Sequence, residues 1–293
     1  MTNFYASISG MGLVVGVDAG GTGSRAVLAT RSGTVLGAGS AGPGNPSLVG
    51  AAAAAAIGDA VRQALGDHDP GSVRAAVVGL AGMSGLAAVR DAFELQWKAI
   101  GLTCDVPIVG DAVTAFAAGS AEPAGTVLIA GTGAVAAVVD GLDVVRVADG
   151  LGWLLGDEGS GTWIGLQAVR AAVRAIPQTS ELAGAVWRAA RVDSGDALVT
   201  WAGRQPPSSF AALCPAVCRS GDPIATRILD EAVRHLLATL SEVDDGASPV
   251  VLAGGLLTAD TPVRRGVRAA LGERATVAGD AARGAARLAI RRS

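Results

Sequence analysis

VVGVDAGGTGS, residues 14–24, sets a run of apolar β-formers, one carboxylate and a glycine-rich turn side by side. TVLIAGTGAV, residues 126–135, repeats the plan. Each is an apolar run that breaks into Gly and Thr and resumes as a second apolar run, at 25–30 and 135–140, which reads as strand, tight turn, strand. Glycines at such a turn let backbone N–H groups come close to an anion, and a neighbouring Thr adds a hydroxyl donor. Two such turns facing each other would hold a polyphosphate chain between them.

Outward from the first turn, the pattern gives strands at 13–18, 25–30 and 34–40, an antiparallel meander. A loop at 41–46 leads to an Ala-rich helix at 47–65, closed by Gly66, then a strand at 75–80, a helix at 87–100 and a strand at 106–109 that runs into Gly110 and Asp111. A helix at 111–118 ends the first half, and Glu122-Pro123 breaks the chain. Strands at 127–130, 134–139 and 144–148, a Gly-rich loop at 150–161 and a helix at 162–175 then restart the order. Residues 177–223, helical with breaks at Gly195, Pro206-Pro207 and Gly221, read as an insertion without chemistry of its own. An amphipathic helix at 223–243 follows, with His235 as a packed or solvated residue, and then a strand at 250–253, a helix at 263–271, a strand at 276–278 and a helix at 281–290. The expected architecture is α/β: two βββαβαβα-like halves, domains at 11–118 and 119–293, with phosphates in a cleft between them.

The 293 residues suffice for two domains of about 120 to 170 residues each. Half of them are hydrophobic but only 3% aromatic, and 42 are Gly, so the core must be close-packed Ala, Val and Leu around many turns. A net charge of −3 offers no basic face for nucleic acid. Cys104, Cys214 and Cys218 form an odd set without zinc-type spacing, which argues against a disulfide framework or structural metal and fits a cytoplasmic setting. Residues 1–11 lack a basic start and a long apolar stretch, and the first ten read as a loose arm; the apolar runs near Val127 and Val250 are interrupted well short of a membrane span. Neither nucleic acid nor membrane is an expected partner.

Asp18 ends an otherwise apolar strand beside the first turn, where its carboxylate could hold Mg²⁺ or its waters against bound phosphate, or cap the turn by an Asx hydrogen bond. The Asp-x-Gly-Gly-Thr string is neither a Walker A loop nor a dinucleotide fingerprint, since no Lys follows and a strand, not a helix, comes next. Asp111 sits at the C-terminal end of a strand and the start of a helix; it is the candidate general base, with a plain N-cap as the other reading. Residues 156–161, GDEGSG, set two carboxylates among glycines, as close backbone approach to a small polar ligand and hydrogen bonds to sugar hydroxyls would need. A helix-capping loop with Asp157 or Ser160 as N-cap has the same pattern. VVLAGGLL, residues 250–257, places Gly254-Gly255 where a nucleoside could lie flat against backbone.

Taken together and in this order, DAGGTGSRAVL, GDAVTAF, VLIAGTG, GLGWLLGDEGSGTWIG, VVLAGG and GDAARGAARLA resemble the N-acetylglucosamine kinase branch of the BadF/BadG/BcrA/BcrD ATPase family, within the actin, Hsp70 and sugar-kinase superfamily. The resemblance spans roughly 13–290, and implies duplicated ribonuclease H-like (actin-like ATPase) domains. It further implies that Gly20, Gly21 and Thr22 form the first phosphate loop, Gly131, Thr132 and Gly133 the second, and Gly254 and Gly255 the adenosine motif. Asp111 takes the role of base, while Asn45, Gly150, Gly152 and Asp157 fall at sugar-binding positions. ATP and Mg²⁺ are the implied cofactors, and a homodimer the implied assembly. Two departures bear on the acceptor: Ala134 and Val135 stand where the branch has Ser and a polar residue, and Gly-Leu-Gly at 150–152, with Trp153 one place late, stands for Gly-Trp-Gly.

The expected function is ATP-dependent phosphorylation of an amino sugar, N-acetylglucosamine at its 6-OH foremost, with glucosamine or N-acetylmuramic acid as alternatives. Two other classes share the fold. An ATPase activator of a reductase or dehydratase needs a cysteine beside the nucleotide for an iron–sulfur cluster, and none of the three cysteines follows a nucleotide motif in sequence. A non-catalytic nucleotide-dependent regulator has no use for GDEGSG.

Overall fold

The computed structural model describes residues 12–175 and 180–293. The loose arm expected at 1–10, and the start of the 177–223 segment, lie outside the described residues. The chain divides into two compact units, one holding the described residues up to Pro123 with 139–144 and 278–293, the other 124–138 with 145–277.

In the first unit, β1 (Leu13–Ala19), β2 (Ser24–Thr30) and β3 (Val35–Ala41) form the expected meander, each strand antiparallel to the next. Two helical pieces follow, α1 (Pro46–Val49) and α2 (Ala52–Leu65), where the sequence pattern gave one helix; Gly50, at φ +57°, separates them. Then come β4 (Val73–Leu80), α3 (Arg90–Ile100), β5 (Ile108–Gly110) and α4 (Asp111–Gly119). The sheet order is β3-β2-β1-β4-β5, with β4 parallel to β1 and β5 parallel to β4. β1 is central and covered on both sides, which is why its sequence is a continuous apolar run rather than an alternating one.

The two faces of β1 use its period of two differently. Leu13, Val15 and Val17 join a core with Ile57 and Val61 of α2 and Phe93 of α3. On β3, a Cβ at Gly37 or Gly39 would come within 2.1 Å of the carbonyl oxygens of Ala64 and Ala60, so the alanine run and these glycines let α2 lie almost in backbone contact with the sheet. The opposite face of β1 carries Gly16, where a Cβ would meet the backbone N of Ala286 at 2.1 Å.

The second unit opens with β6 (Ala124–Ala130), β7 (Ala134–Asp140) and β8 (Asp143–Asp149), followed by α5 (Gly161–Ala172). Four helices, α6 (Glu181–Ala190), α7 (Gly195–Ala202), α8 (Pro207–Ala211) and α9 (Cys214–Arg219), interrupt the repeat. The chain closes with α10 (Pro223–Ser241), β9 (Val250–Ala253), α11 (Gly255–Thr258), α12 (Pro262–Leu271), β10 (Ala275–Val277) and α13 (Ala281–Arg292). The sheet runs β10-β9-β6-β7-β8, with β9 parallel to β6 and β10 to β9. Read from its other edge, this is the order of the first sheet, so the duplication extends from turn chemistry to topology. The α6–α9 segment is part of the core: Leu182, Leu198, Phe210 and Val217 are buried with Leu128 of β6 and Ile164 of α5.

Against the expected domains at 11–118 and 119–293, the first unit runs on to the Glu122-Pro123 break and also takes in 139–144 and 278–293. Helix α13 completes the second repeat in sequence but groups with the first unit, because Gly16 and Gly79 clear the sheet face for small residues. Thr114 of α4 fills the space at Gly79, and Gly284 of α13 lies against the Thr114 carbonyl. Among the described residues, no helix is long and apolar enough to cross a membrane.

Candidate functional site

Both glycine turns form as expected. Gly20 N–H bonds Gly23 O and Gly131 N–H bonds Gly133 O, each at 2.9 Å, so each chain reverses within a few residues. The N–H groups of Gly21, Thr22, Thr132 and Gly133 donate to no group among the described residues. They are unspent donors of the kind that receives an anion. In the second unit, Gly161 N–H bonds Gly131 O at 2.8 Å, tying the turn to the head of α5. Gly254, at φ +80°, lies so close to β6 that a Cβ would meet the Ala130 carbonyl oxygen at 2.4 Å, which sets Gly255 beside Gly131.

The turn length of the first hairpin fixes a register that places Arg25 opposite Asp18. The Arg25 Nη2 donates to Asp18 Oδ2 at 2.8 Å, and its Nη1 stands 3.6 Å from Asp280 Oδ2. The hydrogen bond to Asp18 raises the pKa of the guanidinium further above its ordinary range. Asp18 therefore forms a cross-strand ion pair, not an Asx cap. Asp111 opens α4 at the first helical position, with Gly110 as the N-cap, so it is not the plain cap of the alternative reading. Its Oδ1 accepts the Ala112 N–H at 3.0 Å. The protein crowded around this carboxyl and, after it, the charge of Asp18 push its pKa up, against the lowering by that N–H. Asp111 remains reachable by solvent.

Asn45 Oδ1 caps α1 by accepting the Ser47 N–H at 2.9 Å. The Ser47 hydroxyl donates to Gly82 O at 3.0 Å. Gly82 is required: at φ +75°, a Cβ there would sit 2.0 Å from Asn45 Oδ1. This AGMSG segment, 81–85, is a support for Asn45 that the sequence reading passed over.

In the second unit the loop ahead of α5 is built on a residue also passed over, Asp149. Its Oδ1 accepts the Asp157 N–H at 2.7 Å and its Oδ2 the Glu158 N–H at 3.1 Å. Gly156 leaves the space, since a Cβ there would meet Asp149 Oδ1 at 2.1 Å. The Asp149-Gly150 pair, both at positive φ, is the turn signal that could have pointed to it. Gly150 N–H bonds Ala134 O at 3.0 Å, and Gly152, at φ +83°, accepts the Gly156 N–H at 2.8 Å. Asp157 Oδ1 accepts the Ala134 N–H at 3.1 Å, and burial, with Asp149 nearby, pushes its carboxyl up. Ser160 is the N-cap of α5, its Oγ accepting the Trp163 N–H at 3.2 Å. Glu158 pairs with His235 Nδ1 at 2.7 Å, and Trp163 stacks edge-on against that imidazole.

Gly131, Thr132 and Gly255 line one wall of a cavity of about 650 Å³ in the second unit. The lining also includes Cys214, Pro215, Cys218 and Arg219 of α9, and Asp260 and Thr261 ahead of α12. Residues 177–223 thus contribute to the lining of this cavity. The two cysteines stand in the same cavity as Gly131, Thr132 and Gly255, and only their i, i+4 spacing indicated that they share one helix face.

Two units of one strand order, each opening on a glycine turn, define the α/β fold of the duplicated ribonuclease H-like, actin-like class. Residues 15–279 match the BadF/BadG/BcrA/BcrD ATPase family, and the chain belongs to it. Over 271 residues it is 27% identical to an N-acetyl-D-glucosamine kinase of Dictyostelium discoideum, covering 83% of this chain and 85% of that one. It is 28% identical over 182 residues to an N-acetylmuramic acid/N-acetylglucosamine kinase of Clostridium acetobutylicum, a match to 57% of this chain and 60% of the relative. The crystal structure of a candidate N-acetylglucosamine kinase from Chromobacterium violaceum superposes with a TM-score of 0.76 at 27% identity, over 95% of this chain and 99% of that one.

Proposed function

We propose that this protein is an ATP-dependent kinase of an amino sugar, with N-acetylglucosamine as acceptor and its 6-hydroxyl as nucleophile. The observation that carries phosphoryl transfer is the pair of glycine turns with unspent N–H donors, one of them beside a cavity large enough for a nucleoside. The choice of an amino sugar is supported by the activities named for the Dictyostelium and Clostridium relatives. In this reading Gly131, Thr132 and Gly133, with Gly254 and Gly255, hold the nucleotide, and Gly20, Gly21 and Thr22 meet its phosphates.

Asp111 orients the sugar hydroxyl and takes its proton as the oxygen attacks the γ-phosphorus in line. A carboxyl raised above its ordinary range is a better base than an unperturbed one. Asn45, whose Oδ1 is committed to the α1 cap, offers its Nδ2 hydrogens to the sugar. Gly150 and Gly152 shape the loop beside Ala134, and Asp157 meets the sugar with what remains of its carboxylate. Positioning supplies most of the acceleration.

Magnesium suits the residues present. Mg²⁺ keeps most of its waters and takes one or two carboxylates beside substrate phosphates; Asp18, whose Oδ2 accepts from Arg25, would meet the ion or its waters through Oδ1. When bound, the ion neutralises phosphate charge. The reading extends to a cytoplasmic homodimer.

A coupled ADP-release assay over N-acetylglucosamine, glucosamine, N-acetylmuramic acid, N-acetylmannosamine and glucose tests the proposal. N-acetylglucosamine should give the highest kcat/KM. ADP release that no sugar accelerates would remove the kinase reading.

A further inference from the structure

Cys214 and Cys218 occupy positions i and i+4 of α9, with their Sγ atoms 3.9 Å apart, and both are free thiols. Cys214 is buried in the core of the second unit, while Cys218 is partly open. Both line the cavity that also contains Gly131, Thr132 and Gly255. We propose that these two cysteines are a thiol–disulfide modification site in the wall of the nucleotide cavity, oxidised by low-molecular-weight disulfides of the glutathione type, and that closing the bond lowers the affinity for ATP. The coupling to ATP rests on the nucleotide reading above; the thiol chemistry does not.

The geometry permits the bond. Residues four apart on a helix have Cα atoms about 6 Å apart, inside the range disulfides span. Cβ atoms four residues apart on a helix stand about 5–6 Å from each other, beyond the roughly 3.5–4.5 Å of a disulfide, so closing the sulfurs from 3.9 Å to about 2.05 Å must also draw in the backbone of α9, a helix of only six residues. Because Pro215 and Arg219 of the same short helix also line the cavity, deforming α9 reshapes that part of its lining.

The chemistry assigns an order to the two sulfurs. Cys218 is the more accessible, and its hydrogen bond with Cys214, with Arg219 and Arg265 nearby, lowers its pKa and favours the nucleophilic thiolate. The same hydrogen bond and burial push the Cys214 thiol up. Cys218 loses its proton and attacks one sulfur of RSSR; that S–S bond breaks, and RS⁻ leaves and is protonated. Cys214, on losing its proton, attacks Sγ of Cys218 in the mixed disulfide and expels the second RS⁻, which is protonated in turn. Two protein thiols are oxidised and one RSSR is reduced to two RSH.

The full chain would be equilibrated with mixtures of reduced and oxidised glutathione, mapped by tryptic peptides, and titrated with ATP in each state. Residues 205–219 form one tryptic peptide containing both cysteines, and an internal bond removes two hydrogens from its mass. Oxidation should form that bond, weaken ATP binding at least tenfold and be reversed by dithiothreitol. Cys104→Ser should keep this response, and Cys214→Ser or Cys218→Ser should lose it. An internal bond with unchanged ATP affinity overturns the proposal, as does a glutathione adduct that never resolves to the bond. Reduced protein that binds no ATP overturns the nucleotide reading and the coupling with it, while the peptide map still reads the thiol site by itself.

Discussion

Asp157 Oδ1 accepts the N–H of Ala134 at 3.1 Å, which fastens the loop ahead of α5 to the residue that follows the second glycine turn. Gly133 makes this possible, since a Cβ there would stand 2.8 Å from the same carboxylate. Removing the acceptor in Asp157→Ala leaves the Ala134 N–H unpaired, at about 1–3 kcal/mol. ATP KM should rise about tenfold, and Asp157→Asn, which keeps an acceptor, should recover most of the loss. Steady-state kinetics separate this from a pure sugar contact, for which acceptor KM would rise with ATP KM unchanged.

Asp149 holds the same loop from the other side through the N–H groups of Asp157 and Glu158. Such charge-assisted bonds are about twice as strong as neutral ones. Asp149→Ala should lower stability by about 2–3 kcal/mol and raise KM for the sugar at least tenfold. Gly156→Ala should reproduce the kinetic defect, because its methyl would overlap Asp149 Oδ1. Thermal melts with sugar titrations check both; a Gly156→Ala enzyme with wild-type KM would show that the loop does not shape the acceptor site.

The strands, both turns and the repeat were legible because each rests on local chemistry: apolar β runs, Gly-Thr breaks and Ala-rich helices. Asp18 and Asp111 were legible for the same reason, as carboxylates at strand ends. Arg25 was not singled out, although the hairpin register that pairs it with Asp18 follows from turn length. The place of Cys214 and Cys218 beside Gly131 and Gly255 depends on long-range packing, which no local pattern reports, whereas Asp149 carried a local signal in the Asp149-Gly150 turn. The placement of α13 was also hidden, since its sequence position completes one repeat while Gly16 receives it on the other sheet.

Gly16 gives that placement a direct test. A methyl at this position would meet Ala286 N at 2.1 Å and Ala282 O at 2.3 Å, and neither backbone atom can yield without moving α13 off β1. Overpacking of this kind costs about 1–3 kcal/mol or more. Gly16→Ala should lower Tm by several degrees and speed proteolysis of the C-terminal helix. A variant with wild-type Tm would contradict the packing of α13 on the first sheet.

Asp111 carries opposite consequences for stability and for catalysis. Its folded-state pKa lies above the ordinary carboxylate value of about 3.9, because surrounding protein and then Asp18 disfavour the charge. The stabilising contribution of the protonated form is complete below that ordinary value and is lost as pH rises through the raised one. At neutral pH the ionised carboxyl therefore weighs against the fold. Asp111→Asn cannot ionise and can still accept the Ala112 N–H, so it should melt higher than wild type at pH 7. The gap should close as the pH falls through the raised value towards the ordinary range. The same substitution removes the base, which contributes about 10²–10⁴-fold, and kcat should fall at least that far while sugar binding persists. Wild-type kcat should itself decline on the acid side at a pH above that of an ordinary carboxylate. An Asp111→Asn enzyme that keeps more than about a tenth of wild-type kcat is incompatible with Asp111 as the base.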